Sequence, residues 1–84
     1  MLKILIVDDN KQITSILEEY AKNNGYEPIV AFDGEDALIK FESENPDILL
    51  LDVMMPQKDG FEVCREIRKA SNVPIIMITA RGED

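Results

Sequence analysis

The 84 residues include 45% hydrophobic and 31% charged residues and carry a formal net charge of -8, a composition typical of one small globular domain. This acidity argues against nucleic acid as the segment's own ligand, because phosphate backbones require a basic surface. The chain has one cysteine, Cys64, which excludes an intrachain disulfide. Because it also has no histidine, a zinc site is not expected. No apolar run reaches membrane-spanning length, so we expect a cytoplasmic protein that does not associate with membranes.

The first half of the chain begins with an aliphatic run over residues 4–7, typical of a strand buried on both faces. Apolar residues then recur with helical spacing, which predicts one inward face of a helix. These residues are Ile13, Ile16, Leu17, Tyr20 and Ala21. Asp9 or Asn10 can cap the start of this helix, and Gly25 lies where a left-handed C-terminal cap is expected.

A short second strand is predicted over residues 27–31, where Pro28 favours an edge position because proline cannot donate a hydrogen bond to a ladder. Asp33 is expected to cap a second helix, which the Asn-Pro pair at residues 45–46 ends. The inward face of this helix is predicted to carry Ala37, Leu38 and Phe41.

The second half of the chain continues the alternation with an aliphatic strand over residues 48–51 that stops at Asp52. A loop leads to a third helix, which begins near Gly60. Its predicted inward residues are Phe61, Cys64 and Ile67. A fourth buried strand over residues 73–78 is followed by Thr79. The β-α-β-α-β-α-β order predicts an α/β fold, with a parallel sheet, right-handed crossovers and helices on both faces.

Polar side chains stand where three of the predicted strands end: Asp8 and Asp9 after the first, Asp52 after the third and Thr79 after the fourth. Ligands of open parallel sheets bind at this edge, so the three carboxylates converge if the first and third strands are neighbours. Their repulsion favours a divalent cation, and oxygen-only ligands favour Mg²⁺ or Mn²⁺. Taken singly, Asp9 could be only a helix cap, Asp52 a turn residue and Thr79 a strand residue.

Three segments together resemble the signature segments of bacterial response-regulator receiver domains. They are residues 4–10 (ILIVDDN), residues 50–56 (LLDVMMP) with Asp59 and Gly60, and residues 74–80 (PIIMITA). The resemblance implies a flavodoxin-like, doubly wound parallel sheet with strand order 2-1-3-4-5. The family also has a fifth strand that carries a lysine, and two further helices. We therefore expect residues 1–84 to be the N-terminal two-thirds of a single receiver domain, truncated after the fourth strand.

The resemblance also implies roles for individual residues. Asp52 would accept a phosphoryl group from a histidine kinase or a phosphotransfer protein. Asp9 and Asp52 would bind Mg²⁺ directly with the backbone carbonyl of Met54, and Asp8 would act mainly through bound water. Thr79 would contact the phosphoryl group and shift its loop. The implied function is that of a two-component signalling module that turns over no external substrate and so is not an enzyme.

Two other functions stay open. A Mg²⁺-dependent phosphohydrolase of the haloacid-dehalogenase type would use a similar aspartate, but such enzymes carry a second acid two residues later, where this chain has Met54. The alternative is a structural or assembly fragment that has lost efficient phosphotransfer along with the family lysine. Under any of these functions, truncation after the fourth strand leaves that strand as an apolar edge, which predicts a homo-oligomer or a strand-exchanged assembly.

Overall fold

The computed structural model describes residues 1–55 and 59–78, in which strands and helices alternate along the chain. The elements are β1 (Lys3–Val7), α1 (Lys11–Asn23), β2 (Glu27–Ala31), α2 (Gly34–Glu44), β3 (Ile48–Asp52), α3 (Gly60–Arg68) and β4 (Ile75–Ile78). The predicted element order is confirmed, although β4 is two residues shorter than expected. No helix in these two ranges is long and apolar enough to cross a membrane.

The four strands form one parallel sheet in the order β2-β1-β3-β4. This order confirms the part of the flavodoxin-like topology that these strands represent. In the register of β1 with β3, Val7 lies opposite Leu51. The next residues, Asp8 and Asp52, therefore leave neighbouring strands at the same edge of the sheet.

Helices pack on both faces of the sheet, as in a doubly wound fold. The larger core lies between the sheet and α2 and α3. Its fully buried large side chains are Leu5, Val7, Leu49, Leu51, Val63 and Ile67. The smaller core, built around Ile4, Ile6 and Ala21, lies beneath α1, which packs on β1 and β2.

The inward face predicted for α1 is partly wrong. Ile16 and Tyr20 are 68% and 69% exposed, whereas Thr14 and Ala21 are buried. Among the described residues the helix packs mainly on β1 and β2, so only part of its apolar surface meets the sheet. The apolar side chains beside that part stay on the surface.

The inward face predicted for α3 is also partly wrong, because Phe61 is 55% exposed. The buried residues are Gly60, Val63 and Ile67, and Cys64 is half-buried. Gly60 is the residue of the first turn that lies against the backbone of Asp52, and Phe61 beside it is exposed.

The helix ends agree with their sequence signals. The Asp33 carboxylate accepts a hydrogen bond from the backbone N–H of Asp36 at 2.8 Å and caps α2. Gly25 follows α1 with a φ of 84°, in the left-handed region that glycine enters without strain. Asn45 ends α2 with a φ of 51°, as asparagine tolerates at such positions.

Candidate metal centre at the carboxyl edge of the sheet

Asp8 is buried directly after β1. Its backbone N–H donates to the carbonyl oxygen of Ala31 at 3.1 Å, which extends the pairing of β1 with β2 by one residue. Its carboxylate accepts a hydrogen bond from the N–H of Asn10 at 2.9 Å. The side chain is thus fixed at the sheet edge, and Asp8 is only 5% exposed.

The cap of α1 is Asn10 rather than Asp9. The Asn10 side-chain oxygen accepts hydrogen bonds from the N–H groups of Gln12 at 2.9 Å and Ile13 at 3.3 Å. These are the N2 and N3 donors that an N-cap side chain satisfies. The interpretation of Asp9 as only a helix cap is therefore wrong, and its exposed carboxylate lies beside Asp8 and Asp52.

Asp52 is the last residue of β3 and is only 4% exposed. Its carboxylate accepts a hydrogen bond from the N–H of Met54 at 3.2 Å. The N–H of Val53 donates to the carbonyl oxygen of Ile78 at 2.9 Å, so pairing with β4 continues past the aspartate. These two bonds hold the end of β3 in place on both its backbone and its side chain.

The close approach of α3 also supports the end of β3. A Cβ added to Gly60 would lie 2.9 Å from the Cα of Val53 and closer still to the carbonyl oxygen of Asp52. The Gly60 N–H donates to the carbonyl oxygen of Val53 at 3.2 Å. Glycine at this position thus lets the first turn of α3 rest directly on the strand end that carries Asp52.

The carboxylates of Asp8, Asp9 and Asp52 form one cluster, in which one oxygen of each lies within 4.8 Å of the others. Burial raises the pKa of Asp52, and the negative charges of Asp8 and Asp9 raise it further, against the hydrogen bond from Met54. Burial also raises the pKa of Asp8, with the Asp9 charge adding to the shift against the hydrogen bond from Asn10. A cation among these oxygens would relieve the repulsion, and all-oxygen donors suit Mg²⁺.

The structure brings together the three predicted carboxylates, whereas Thr79 lies outside the described residues. Met54 follows Asp52 by two residues and is half-exposed. The hydrogen bonds from Asn10 and Met54 to the preceding aspartates were not predicted. Each bond closes a turn in which an aspartate carboxylate accepts a hydrogen bond from the N–H group two residues later. An aspartate at the end of a predicted strand is the sequence feature that could have indicated these turns.

Comparison with known proteins agrees with this geometry. A family model described as the response regulator receiver domain matches residues 4–84. The chain belongs to the response regulator receiver family. Receiver domains are signalling modules that work with histidine kinases or phosphotransfer proteins and are generally not enzymes.

Relatives and solved structures place the chain firmly among receivers. It is 57% identical over 81 residues to the probable transcriptional regulator ycf27 of Porphyra purpurea, spanning 96% of this chain and 33% of that protein. The Vibrio cholerae chemotaxis protein CheY4 is 35% identical with a TM-score of 0.93, over 99% of this chain and 72% of the other. The response regulator TrrA of Thermotoga maritima was solved in complex with Mg(2+)-BeF. It is 44% identical with a TM-score of 0.91, over 98% of this chain and 72% of the other.

Proposed function

We propose that this chain is the phosphoacceptor of a two-component system and that Asp52 takes a phosphoryl group from a histidine kinase or a phosphotransfer protein in the cytoplasm. The observation that carries the proposal is the buried Asp52 carboxylate, with an oxygen within 4.8 Å of oxygens from both Asp8 and Asp9. Residues 1–84 would serve this function as parts of a single domain.

In the proposed reaction an Asp52 carboxylate oxygen attacks the phosphorus atom of a phosphohistidine. The new P–O bond forms as the P–N bond breaks, and the leaving imidazole takes up a proton. The hydrogen bond from Met54 holds the carboxylate in one orientation, which favours in-line attack. A small acyl phosphate would react in the same way, with a carboxylate as the leaving group.

Mg²⁺ suits the oxygen-only donors of this cluster. We propose that Asp9, Asp52 and the backbone carbonyl of Met54 bind the ion directly and that Asp8 binds mainly through water; Mn²⁺ would fit the same donors. A bound ion would supply positive charge that offsets the charge of the phosphoryl oxygens. The TrrA structure in complex with Mg(2+)-BeF supports this choice of metal.

Thr79 is proposed to donate its hydroxyl hydrogen to a phosphoryl oxygen after transfer and so to couple phosphorylation to a shift of its loop. The support lies in the register of the sheet. Asp52 pairs with Ile78, and Thr79 is the next residue in the sequence.

The outer edge of β4 supports a second proposal, that this strand pairs with a further strand. Among the described residues β4 has a neighbour on one side only, and Ile76 is 49% exposed. An apolar edge of this kind is a template for pairing. We propose that a second copy of the chain covers it when no other segment does. Size-exclusion chromatography with light scattering should then show a dimer, and a compact monomer would contradict this proposal.

The phosphoacceptor proposal is tested by intact-protein mass after incubation with acetyl phosphate, with Mg²⁺ and with a chelator. We expect one added phosphoryl group that requires the metal and is lost in Asp52→Asn. Asp59→Asn is the matched control, because Asp59 is exposed and asparagine preserves its capping of α3. Equal labelling of wild type and Asp52→Asn would contradict the assignment. Repeated turnover of a small phosphate ester would favour the phosphohydrolase instead.

A further inference from the structure

We propose that the groove between α2 and α3 binds a basic, amphipathic peptide segment of a partner protein, in which an apolar side chain is flanked by lysine or arginine. The groove has a volume of about 320 Å³. None of its lining residues belongs to the aspartate cluster, so this surface would work independently of the proposed phosphoacceptor function.

The floor of the groove is apolar. Leu38 and Phe41 from α2 and Ile67 from α3 line it, and Leu38 and Phe41 pack against the larger core, to which Ile67 belongs. Ile39 lies at the rim and is 64% exposed. The groove can therefore take up an apolar side chain, whereas an isolated exposed isoleucine would offer only a flat contact.

The rim of the groove is acidic, with Glu35 and Glu42 on α2 and Glu66 on α3. Glu42 makes no ion pair with any residue in the described ranges. Lys69 lies 3.5 Å from Glu66 and offsets part of the charge. A partner with positive charges around its apolar anchor would therefore complement this rim.

The single basic residue of α2 is held away from the groove. The Lys40 ammonium lies 3.1 Å from the Asp36 carboxylate and donates to the carbonyl oxygen of Val30 on β2 at 2.6 Å. The residues of α2 that line the groove are Glu35, Glu42 and three apolar side chains, without Lys40. This pattern favours a basic partner over an acidic peptide or an uncharged lipid surface.

A fluorescein-labelled peptide serves as the probe, with leucine at i, i+3, i+4 and i+7 and lysine elsewhere, read by fluorescence anisotropy on the full chain. A second peptide keeps the leucines and replaces each lysine by glutamate. Ile39→Lys places a charge at the rim. Ile16→Lys is the matched control, because Ile16 is 68% exposed on a helix of the opposite sheet face and the charge change is the same. Glu42→Lys provides a second test of the rim.

We expect saturable binding of the lysine peptide, weakened roughly tenfold or more by Ile39→Lys and less than about twofold by Ile16→Lys. Glu42→Lys should also weaken binding, and the glutamate peptide should not bind. Circular dichroism would verify that each variant is folded. The proposal is overturned if wild type shows no saturable binding, if both isoleucine variants weaken binding equally, or if the glutamate peptide binds as well as the lysine peptide.

Discussion

Gly60 lies against the carbonyl oxygen of Asp52, so close that a Cβ at residue 60 would overlap the backbone of the strand end. The first turn of α3 and the proposed phosphoacceptor therefore share one packed contact. Because the added atom would meet backbone rather than a flexible side chain, neither partner can move away cheaply. The position of α3 and the position of Asp52 should change together.

Gly60→Ala should lower the free energy of unfolding by about 2 kcal/mol, the usual cost of overpacking a close contact, and should slow phosphorylation of Asp52. Urea unfolding and the acetyl phosphate reaction measure the two effects. Phe61→Ala is the control one residue away. Phe61 is exposed, so its replacement should change stability by only about 0.5 kcal/mol. Equal stability of Gly60→Ala and wild type would show that α3 does not constrain the strand end.

Alanine substitutions at the neighbouring residues Asp9 and Asn10 should affect different properties, Mg²⁺ binding for Asp9 and stability for Asn10. Asn10→Ala removes the acceptor of two helix N–H groups and should cost about 1 kcal/mol of stability. Asp9→Ala removes one carboxylate of the cluster and should weaken Mg²⁺ binding without that loss of stability. Urea unfolding in a chelator and calorimetric titration with Mg²⁺ separate the effects. An unchanged Mg²⁺ affinity in Asp9→Ala would remove Asp9 from the metal site.

The raised pKa of Asp52 predicts a pH-dependent stability difference between wild type and Asp52→Asn in the absence of Mg²⁺. The folded chain binds this proton more readily than the unfolded chain, whose carboxyl has its ordinary pKa of 3.8. The stability from this group is therefore fully present below pH 3.8 and is lost as pH rises through the raised pKa.

Asp52→Asn should consequently become more stable relative to wild type as pH rises through this window, because the variant has no carboxylate to ionise in the folded chain. Urea unfolding at a series of pH values measures the difference. Added Mg²⁺ should reduce the difference for Asp52→Asn. A difference independent of pH would mean that burial and the neighbouring carboxylates do not raise the pKa of Asp52 in the folded protein.

The β2 edge is closed to pairing by two residues. The backbone groups of Glu27 and Ala31 form hydrogen bonds on the β1 side of the strand. The backbone groups of the alternate residues, Pro28 and Val30, therefore point toward the open edge of the sheet. Pro28 has no N–H to donate, and Lys40 occupies the carbonyl oxygen of Val30. Lysine and proline at an edge strand are known barriers to pairing.

Lys40→Met should therefore increase concentration-dependent association, because it frees an outward carbonyl while keeping the aliphatic stem. Light scattering across a concentration series measures this. Lys22→Met is the matched control, since the Lys22 ammonium also forms an ion pair with an acid of its own helix, Glu18 at 3.9 Å. Among the described residues, the Lys22 ammonium donates no hydrogen bond to a strand carbonyl. Identical association of the two variants would show that Lys40 does not guard the edge.

Much of the fold could be predicted because aliphatic runs mark buried parallel strands and because the carboxyl ends of such strands share an edge. The convergence of Asp8 and Asp52 follows from that rule together with the strand order. The outward positions of Ile16 and Phe61 could not be predicted, because helical spacing identifies apolar residues without showing how much of a helix meets the sheet. The contact of Gly60 with a strand backbone is likewise invisible in a residue pattern.

The choice between Asp9 and Asn10 as the cap of α1 stayed open because both side chains accept hydrogen bonds at that position. Only the path of the backbone after β1 decides which oxygen reaches the N–H groups of Gln12 and Ile13. The acidic character of the α2–α3 groove could not be predicted either, because it depends on the direction of the Lys40 side chain. Its ammonium turns toward β2 and leaves the glutamates of α2 at the rim.

The assignment of Asp52 as phosphoacceptor is tested most directly by locating the phosphoryl group on the chain. After reaction with acetyl phosphate and Mg²⁺, borohydride reduction converts an aspartyl phosphate into homoserine, which peptide mass spectrometry can place in the sequence. We predict conversion at Asp52 alone, dependent on Mg²⁺ and abolished in Asp9→Ala. Conversion at Asp8 or Asp9 in the wild type, or no conversion in a folded chain, would contradict the claim that Asp52 is the phosphoacceptor.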